Sequence, residues 1–293
     1  MSVPARDPIS PVQAAHNRAE KVEKRRQDLS EHHAHYLAAN TAWHVDGRSQ
    51  ILVKKPMDNT VNVVPEPAII SVIDRIDSDD LYVACDGGYK GPTPYTKDFS
   101  GVKLSFKFGK PVGVSKVADD FELLVKRIQT LEKEVAVMGA NETISIVHHN
   151  KHFPSSSLIK LRHSLFSKVD NQVHAESVPL EDDSEDTAEN QAAQALDALQ
   201  DTHVVNVPPF YDMHFMLLNP LTYRAHLEGA VAEIRFTLVH HVIGKGNNLK
   251  NVFTADVVDV VIIHGAPPRI VTPRRARVFA IHPSSPTKRP RQG

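Results

Sequence analysis

Residues 230–265 constrain the fold more than any other part of the chain. Two long runs, AVAEIRFTLVHHVIG and NVFTADVVDVVIIHG, flank the short stretch GKGNN. In the first run Ala232, Ile234, Phe236, Leu238 and Val242 fall on one face of an extended strand, and Glu233, Arg235 and Thr237 fall on the other. The second run is apolar on both faces over 257–263 except at Asp259, which is the composition of a central strand. The Gly/Asn-rich stretch between them is turn chemistry, so the two runs are expected to form a hairpin with a flexible tip.

Strands upstream are equally legible. From Gln50 to Pro111 short runs such as QILVKK, AIISVIDRI, DLYVAC and GVKLSFKFG alternate with Pro, Gly, Asn and Asp clusters. Asp119 with Glu122 three residues on resembles a capping box, and Gly139 sits where a helix would stop. Between them Phe121, Leu124, Ile128, Leu131, Val135 and Met138 repeat at spacings of three and four. This stripe suits either a helix packed on a sheet or a heptad seam for self-association, and Leu123, Val125 and Val137 widen it toward core packing. ETISIVHH reads as a strand, SSSLIKLRHSLF as a short helix, and HVVNV and DMHFMLL as further strands.

The expected class is α+β: mainly antiparallel, barrel-like strands, one long amphipathic helix, a C-terminal β-hairpin and disordered termini. The divisions are a disordered lead over 1–13, a charged helix over 14–39 and a β-rich lobe over 45–168 containing the helix 119–138. An acidic linker or loop over 170–190 leads into an α/β lobe over 191–268, and a basic disordered tail covers 269–293. An oligonucleotide-binding barrel is one arrangement open to the first lobe, whose strands are followed by a helix and another strand.

Charge is distributed unevenly, although the formal net charge of the 293 residues is only −1. Residues 170–201 carry ten Asp or Glu and no Lys or Arg, while 269–293 carry seven Lys or Arg and no acid. Such separation steers an anionic partner to one region. With one cysteine, Cys85, no intramolecular disulfide forms and a reducing compartment is favoured. The first residues lack the apolar core of a secretory signal, and the run Val257–Ile263 is too short to cross a bilayer. The expected location is nucleus or cytoplasm, neither secreted nor membrane-bound.

Enzyme signatures are sparse. No phosphate-binding or nucleophile-elbow glycine motif occurs, and Asp86-Gly87-Gly88 reads as a turn. In VHHNKHF, strand alternation points His148 and His149 to opposite faces, and Phe153-Pro154 excludes the helix that would align His148 with His152. The remaining metal-ligand set is Asp28, His32 and His35, which fall on one helical face. They carry the third functional reading, a metal-dependent hydrolase. No cofactor is expected.

Basic features carry the leading reading, a non-enzymatic nucleic-acid-binding protein acting through phosphate-backbone charge. Lys103, Ser105 and Lys107 share one face of a strand, Lys110 follows, and Lys245 and Lys250 flank the hairpin tip. In the tail Arg274, Arg275, Arg277, Lys288, Arg289 and Arg291 form an accessible basic arm of nuclear-import type. Thr272-Pro273 and Ser285-Pro286 there have the form of proline-directed kinase sites. The alternative is a self-associating scaffold using the heptad helix and strand edges.

Overall fold

The computed structural model describes residues 40–55, 65–93, 96–110, 115–169 and 194–266. The expectations for 1–39, 170–190 and 269–293 lie outside the described residues. In chain order the elements are β1 (Thr41–Asp46), β2 (Ser49–Lys54), β3 (Ile70–Ile76), β4 (Lys103–Gly109) and α1 (Ser115–Val135). Then come β5 (Glu142–Ile144), β6 (Val147–His149), β7 (Ser157–Ser164), β8 (Phe166–Lys168), β9 (His203–Val205) and β10 (Phe210–Tyr211). The short helix α2 (Tyr223–Leu227) precedes β11 (Val231–Ile243) and β12 (Lys250–His264).

The molecule is a mixed α+β protein with a β-rich core. β11 and β12 form the long hairpin over thirteen and fifteen residues respectively. Each arm has further neighbours, as a central strand must. β11 pairs antiparallel with β3, β3 with β4, and β4 with β7. β7 then meets β12 in parallel through Arg162 and Asp256, which closes a ring of five strands. Numbered along the chain, ring neighbours run one-two-three-five-four-one, the strand order of an oligonucleotide-binding barrel. The barrel is not confined to residues 45–168, because its fourth and fifth strands lie beyond the acidic segment. That segment joins two parts of one sheet and one core, not two lobes.

Alternation fills the barrel. Leu104, Phe106 and Phe108 of β4, Ile159 and Leu161 of β7, and Ile234, Phe236 and Leu238 of β11 point inward, each at most 1% exposed. A register shift after the Arg235–Asp259 pair leaves Val258 without a cross-strand partner. Asp259 then faces Arg235, whose guanidinium bonds to both carboxylate oxygens. That pairing explains how a carboxylate is tolerated within the apolar run 257–263.

α1 begins a turn before Asp119 and ends at Val135, so Asp119 lies within the helix and is not its cap. Phe121, Leu124, Val125, Ile128 and Leu131 are buried in the core, with the Phe121 ring edge-on to Phe108. Trp43 of β1 donates its indole N–H to the Leu131 carbonyl (3.1 Å). The stripe is thus spent inside the molecule, and Met138 lies 97% exposed beyond it.

Four assignments change. DLYVAC is not a strand but a loop touching β4 through the single bridge Tyr82–Ser105. SSSLIKLRHSLF is not a helix: it contains β7, flanked by β4 and β6. ETISIVHH is not one strand. It breaks at Ser145–Ile146, where the buried Glu132 carboxylate accepts from the Ser145 hydroxyl and the Ile146 N–H (3.1 Å). The two halves take different partners, β5 beside β12 and β6 beside β7. DMHFMLL is a turn, because the Asp212 carboxylate accepts from the N–H groups of His214 and Met216.

Candidate functional site

The hairpin tip borders an open cleft of about 860 Å³ on the outer face of the barrel. Four permanent cations line it from four segments: Arg48 of the β1–β2 turn, Lys103 at the start of β4, Arg162 of β7 and Lys245 of the tip. The His241 imidazole of β11 and the Ser49 hydroxyl complete the polar lining. No carboxylate lines the cleft among the described residues.

Local backbone chemistry explains how these groups meet. Gly47 (φ 59°) permits the tight turn that presents Arg48. Gly244 (φ 101°) permits the one that presents Lys245, where a Cβ would lie 2.1 Å from the Asn248 carbonyl oxygen. Only glycine fits there. Arg162 is fixed by Asp256, its Nε donating at 2.6 Å and its Nη2 at 3.4 Å. His241 is held between two hydroxyls, Ser49 Oγ at 2.7 Å from Nδ1 and Thr254 Oγ1 at 3.5 Å from Nε2.

The cations repel one another. Desolvation and then the Arg162 guanidinium push Lys103 below the ordinary lysine range, against the opposing pull of Asp256. His241 is likewise pushed down by desolvation and by Arg162. The lining as a whole is therefore positively charged, with Asp256 answering Arg162 from beside it.

A row of outward residues crosses the barrel beside the cleft. Tyr82, in the loop between β3 and β4, exchanges backbone hydrogen bonds with Ser105 (2.8 and 2.9 Å). Ser105 pairs with Arg162, and Arg162 with Asp256. Tyr82 is 57% exposed, placing an aromatic ring among cationic neighbours on the faces of the second and third barrel strands.

The residues singled out by sequence are not equally placed. Lys103 and Lys245 line the cleft. Lys107 shares the outward face of β4 but is 8% exposed, with Nζ 2.7 Å from Asp80 Oδ2. Lys110 is turned toward Glu122 (3.5 Å) and Lys250 toward Glu142 (2.5 Å), so neither stands as an unpaired charge. Arg274, Arg275, Arg277, Lys288, Arg289 and Arg291 lie outside the described residues, as do Asp28, His32 and His35. Among the described residues no group of three or more His, Cys, Asp or Glu is placed to hold a metal ion. In VHHNKHF the strand stops at His149, and the Asn150 carboxamide oxygen accepts from the N–H groups of His152 and Phe153. His148 is pushed below its ordinary pKa by burial and by the nearby Lys107 and Lys160.

Arg48, Tyr82, Arg162 and His241 were not among the residues expected to bind. The period-2 alternation Ile159-Lys160-Leu161-Arg162 is the signal that would have found Arg162.

No protein-family model and no curated protein matches the sequence. Among solved structures the chain is similar to the single-stranded DNA-binding protein from bacteriophage Enc34 (11% identity, 76% of this chain and 94% of that one, TM-score 0.37). It is also similar to gp2.5, a single-stranded DNA-binding protein encoded by bacteriophage T7 (8% identity, 70% and 96%, TM-score 0.38). A structure of the Enc34 protein in complex with single-stranded DNA superposes with 10% identity over 74% and 96% of the chains, TM-score 0.36. Superpositions this loose assign no residue and no activity to this chain.

Proposed function

We propose that this chain is a non-enzymatic module that binds single-stranded nucleic acid. The observation that carries the reading is the cleft of Arg48, Lys103, Arg162 and Lys245 without a carboxylate in its lining. It opens between the loop joining barrel strands four and five and the face of strands two and three. Barrels with this strand order take oligonucleotides on that face and between those loops. Phosphates occupy the cleft, and Tyr82 offers a ring on which an unpaired base stacks. Duplex DNA keeps its bases turned inward, so stacking on Tyr82 favours a single strand.

Fluorescence anisotropy with a labelled single strand and the matching duplex tests this. The single strand is expected to bind more tightly, with log K falling linearly as log salt rises. Tyr82→Ala is expected to cost about 1–3 kcal/mol of that binding without changing the salt slope. Equal binding of duplex, or binding indifferent to salt, overturns the reading.

The location proposed with it is the nucleus or cytoplasm, on the strength of the Lys288–Arg291 run. A fluorescent fusion lacking 288–291 reads this directly. Loss of nuclear signal supports import, and an unchanged distribution removes it.

A further inference from the structure

Asp80 stands apart from the other carboxylates of the binding face. It sits in the loop between β3 and β4 with a left-handed backbone (φ 54°), which aspartate tolerates better than most residues. Its two oxygens reach two ammonium groups from different elements. Oδ2 meets Lys107 of β4 at 2.7 Å, and Oδ1 meets Lys151 of the β6–β7 loop at 2.9 Å. Lys107 lies directly opposite Lys160 on β7, a like-charge pair that is unfavourable by itself. Two lysines therefore share one carboxylate, and a third, Lys160, sits cross-strand from one of them.

This cluster continues the face already described. Lys107 is two residues from Ser105, the backbone partner of Tyr82, and so points to the same side. Lys151 is 66% exposed, whereas Lys107 is 10% and Asp80 21% exposed by their side chains. Lys151 can therefore leave Asp80 without opening the core. A second strut, His152 Nε2 to Asp79 Oδ2 at 2.9 Å, holds the same two loops together.

We infer that Lys107 and Lys151 form a second phosphate site, which Asp80 holds closed by standing where a phosphate would stand. The inference rests on the nucleic-acid reading and adds to it the residue that limits affinity. A carboxylate and a backbone phosphate present the same thing to two ammonium groups: paired anionic oxygens able to accept from both. Occupancy is thus a competition between an intramolecular anion and an incoming one. Asp80, held down to about 2 by its hydrogen bonds to Lys107 and Lys151, remains charged at neutral pH. Protonation is therefore not the release; a competing polyanion is.

The test compares wild type, Asp80→Asn, Lys151→Ala and the double variant as full chains, using a single-stranded oligonucleotide across a salt series. Asp80→Asn keeps a side-chain acceptor for Lys107; a thermal melt checks folding, and Asp80→Ser serves if the amide fails it. Asp80→Asn is expected to bind at least about threefold more tightly, with a salt slope steeper by about 0.7 for each lysine released. Lys151→Ala is expected to change wild-type affinity by less than about twofold but to remove most of the gain from Asp80→Asn. Equal affinity and slope in wild type and Asp80→Asn overturn the inference. So does a gain that persists without Lys151, which marks a general charge effect. A wild-type chain that binds no oligonucleotide removes the functional reading and this inference together.

Discussion

At the scale of single residues, what matters is whether each cation is already answered by a carboxylate, as Arg162 of the cleft is by Asp256. Lys110 and Lys250 are answered by Glu122 and Glu142, so their removal should leave nucleic-acid affinity nearly unchanged. Lys103 lines the cleft, with its ammonium depressed by desolvation and by Arg162. Lys103→Ala should weaken oligonucleotide binding and flatten the salt slope by about 0.7, the increment for one single-strand phosphate. Asp80 gives a separate, acid-side prediction. Its folded pKa of about 2 lies below the ordinary aspartate value of 3.8, so its ion pairs contribute full stability above about pH 4. That contribution is lost as pH falls from 3.8 toward 2. Acid melts of Asp80→Asn should lack this component, and wild-type-like acid melts would show that the pairs do not stabilise the fold.

At the scale of elements, Glu132 shows why part of the chain was opaque in sequence. Its carboxylate, buried from α1, takes the Ile146 N–H and the Ser145 hydroxyl and so divides one apparent strand into β5 and β6. Nothing within ETISIVHH announces a partner thirteen residues upstream. Burial pushes Glu132 above the usual carboxylate range despite its hydrogen bonds. Since the folded state then holds its proton more tightly than the unfolded chain, stability falls as pH rises through that interval. Glu132→Gln, which retains an acceptor, should melt at or above wild type at neutral pH and flatten this slope. Glu132→Ala should melt lower, by about 1–3 kcal/mol for the orphaned Ile146 N–H. Other elements were legible because their signals are local. Alternation in 231–243 gave the hairpin arm, and Asp86-Gly87-Gly88 gave a turn, with Gly88 N–H donating to Asp86. For β7 the signal is present although SSSLIKLRHSLF reads as a short helix: Ile159/Leu161 against Lys160/Arg162 carries the strand period.

At the scale of the whole molecule, the ring of five strands decides both folding and function. Strand order is set by pairings between residues far apart in sequence, which no local pattern encodes, so two lobes were expected where one barrel stands. β3 needs β11, and β7 needs β12. Fragments 40–168 and 194–266 expressed separately should therefore fail to show cooperative melting, and an independently folded fragment would restore a two-lobe description. The same ring brings Arg48, Lys103, Arg162 and Lys245 to one cleft although they are scattered over some two hundred residues. The most direct measurement is the salt dependence of single-strand binding by the full chain and by its Arg48→Ala/Lys103→Ala/Lys245→Ala variant. Loss of three phosphate contacts should lower the magnitude of the slope by about 2 and weaken binding at low salt. A variant with wild-type slope and affinity would contradict the assignment of the cleft.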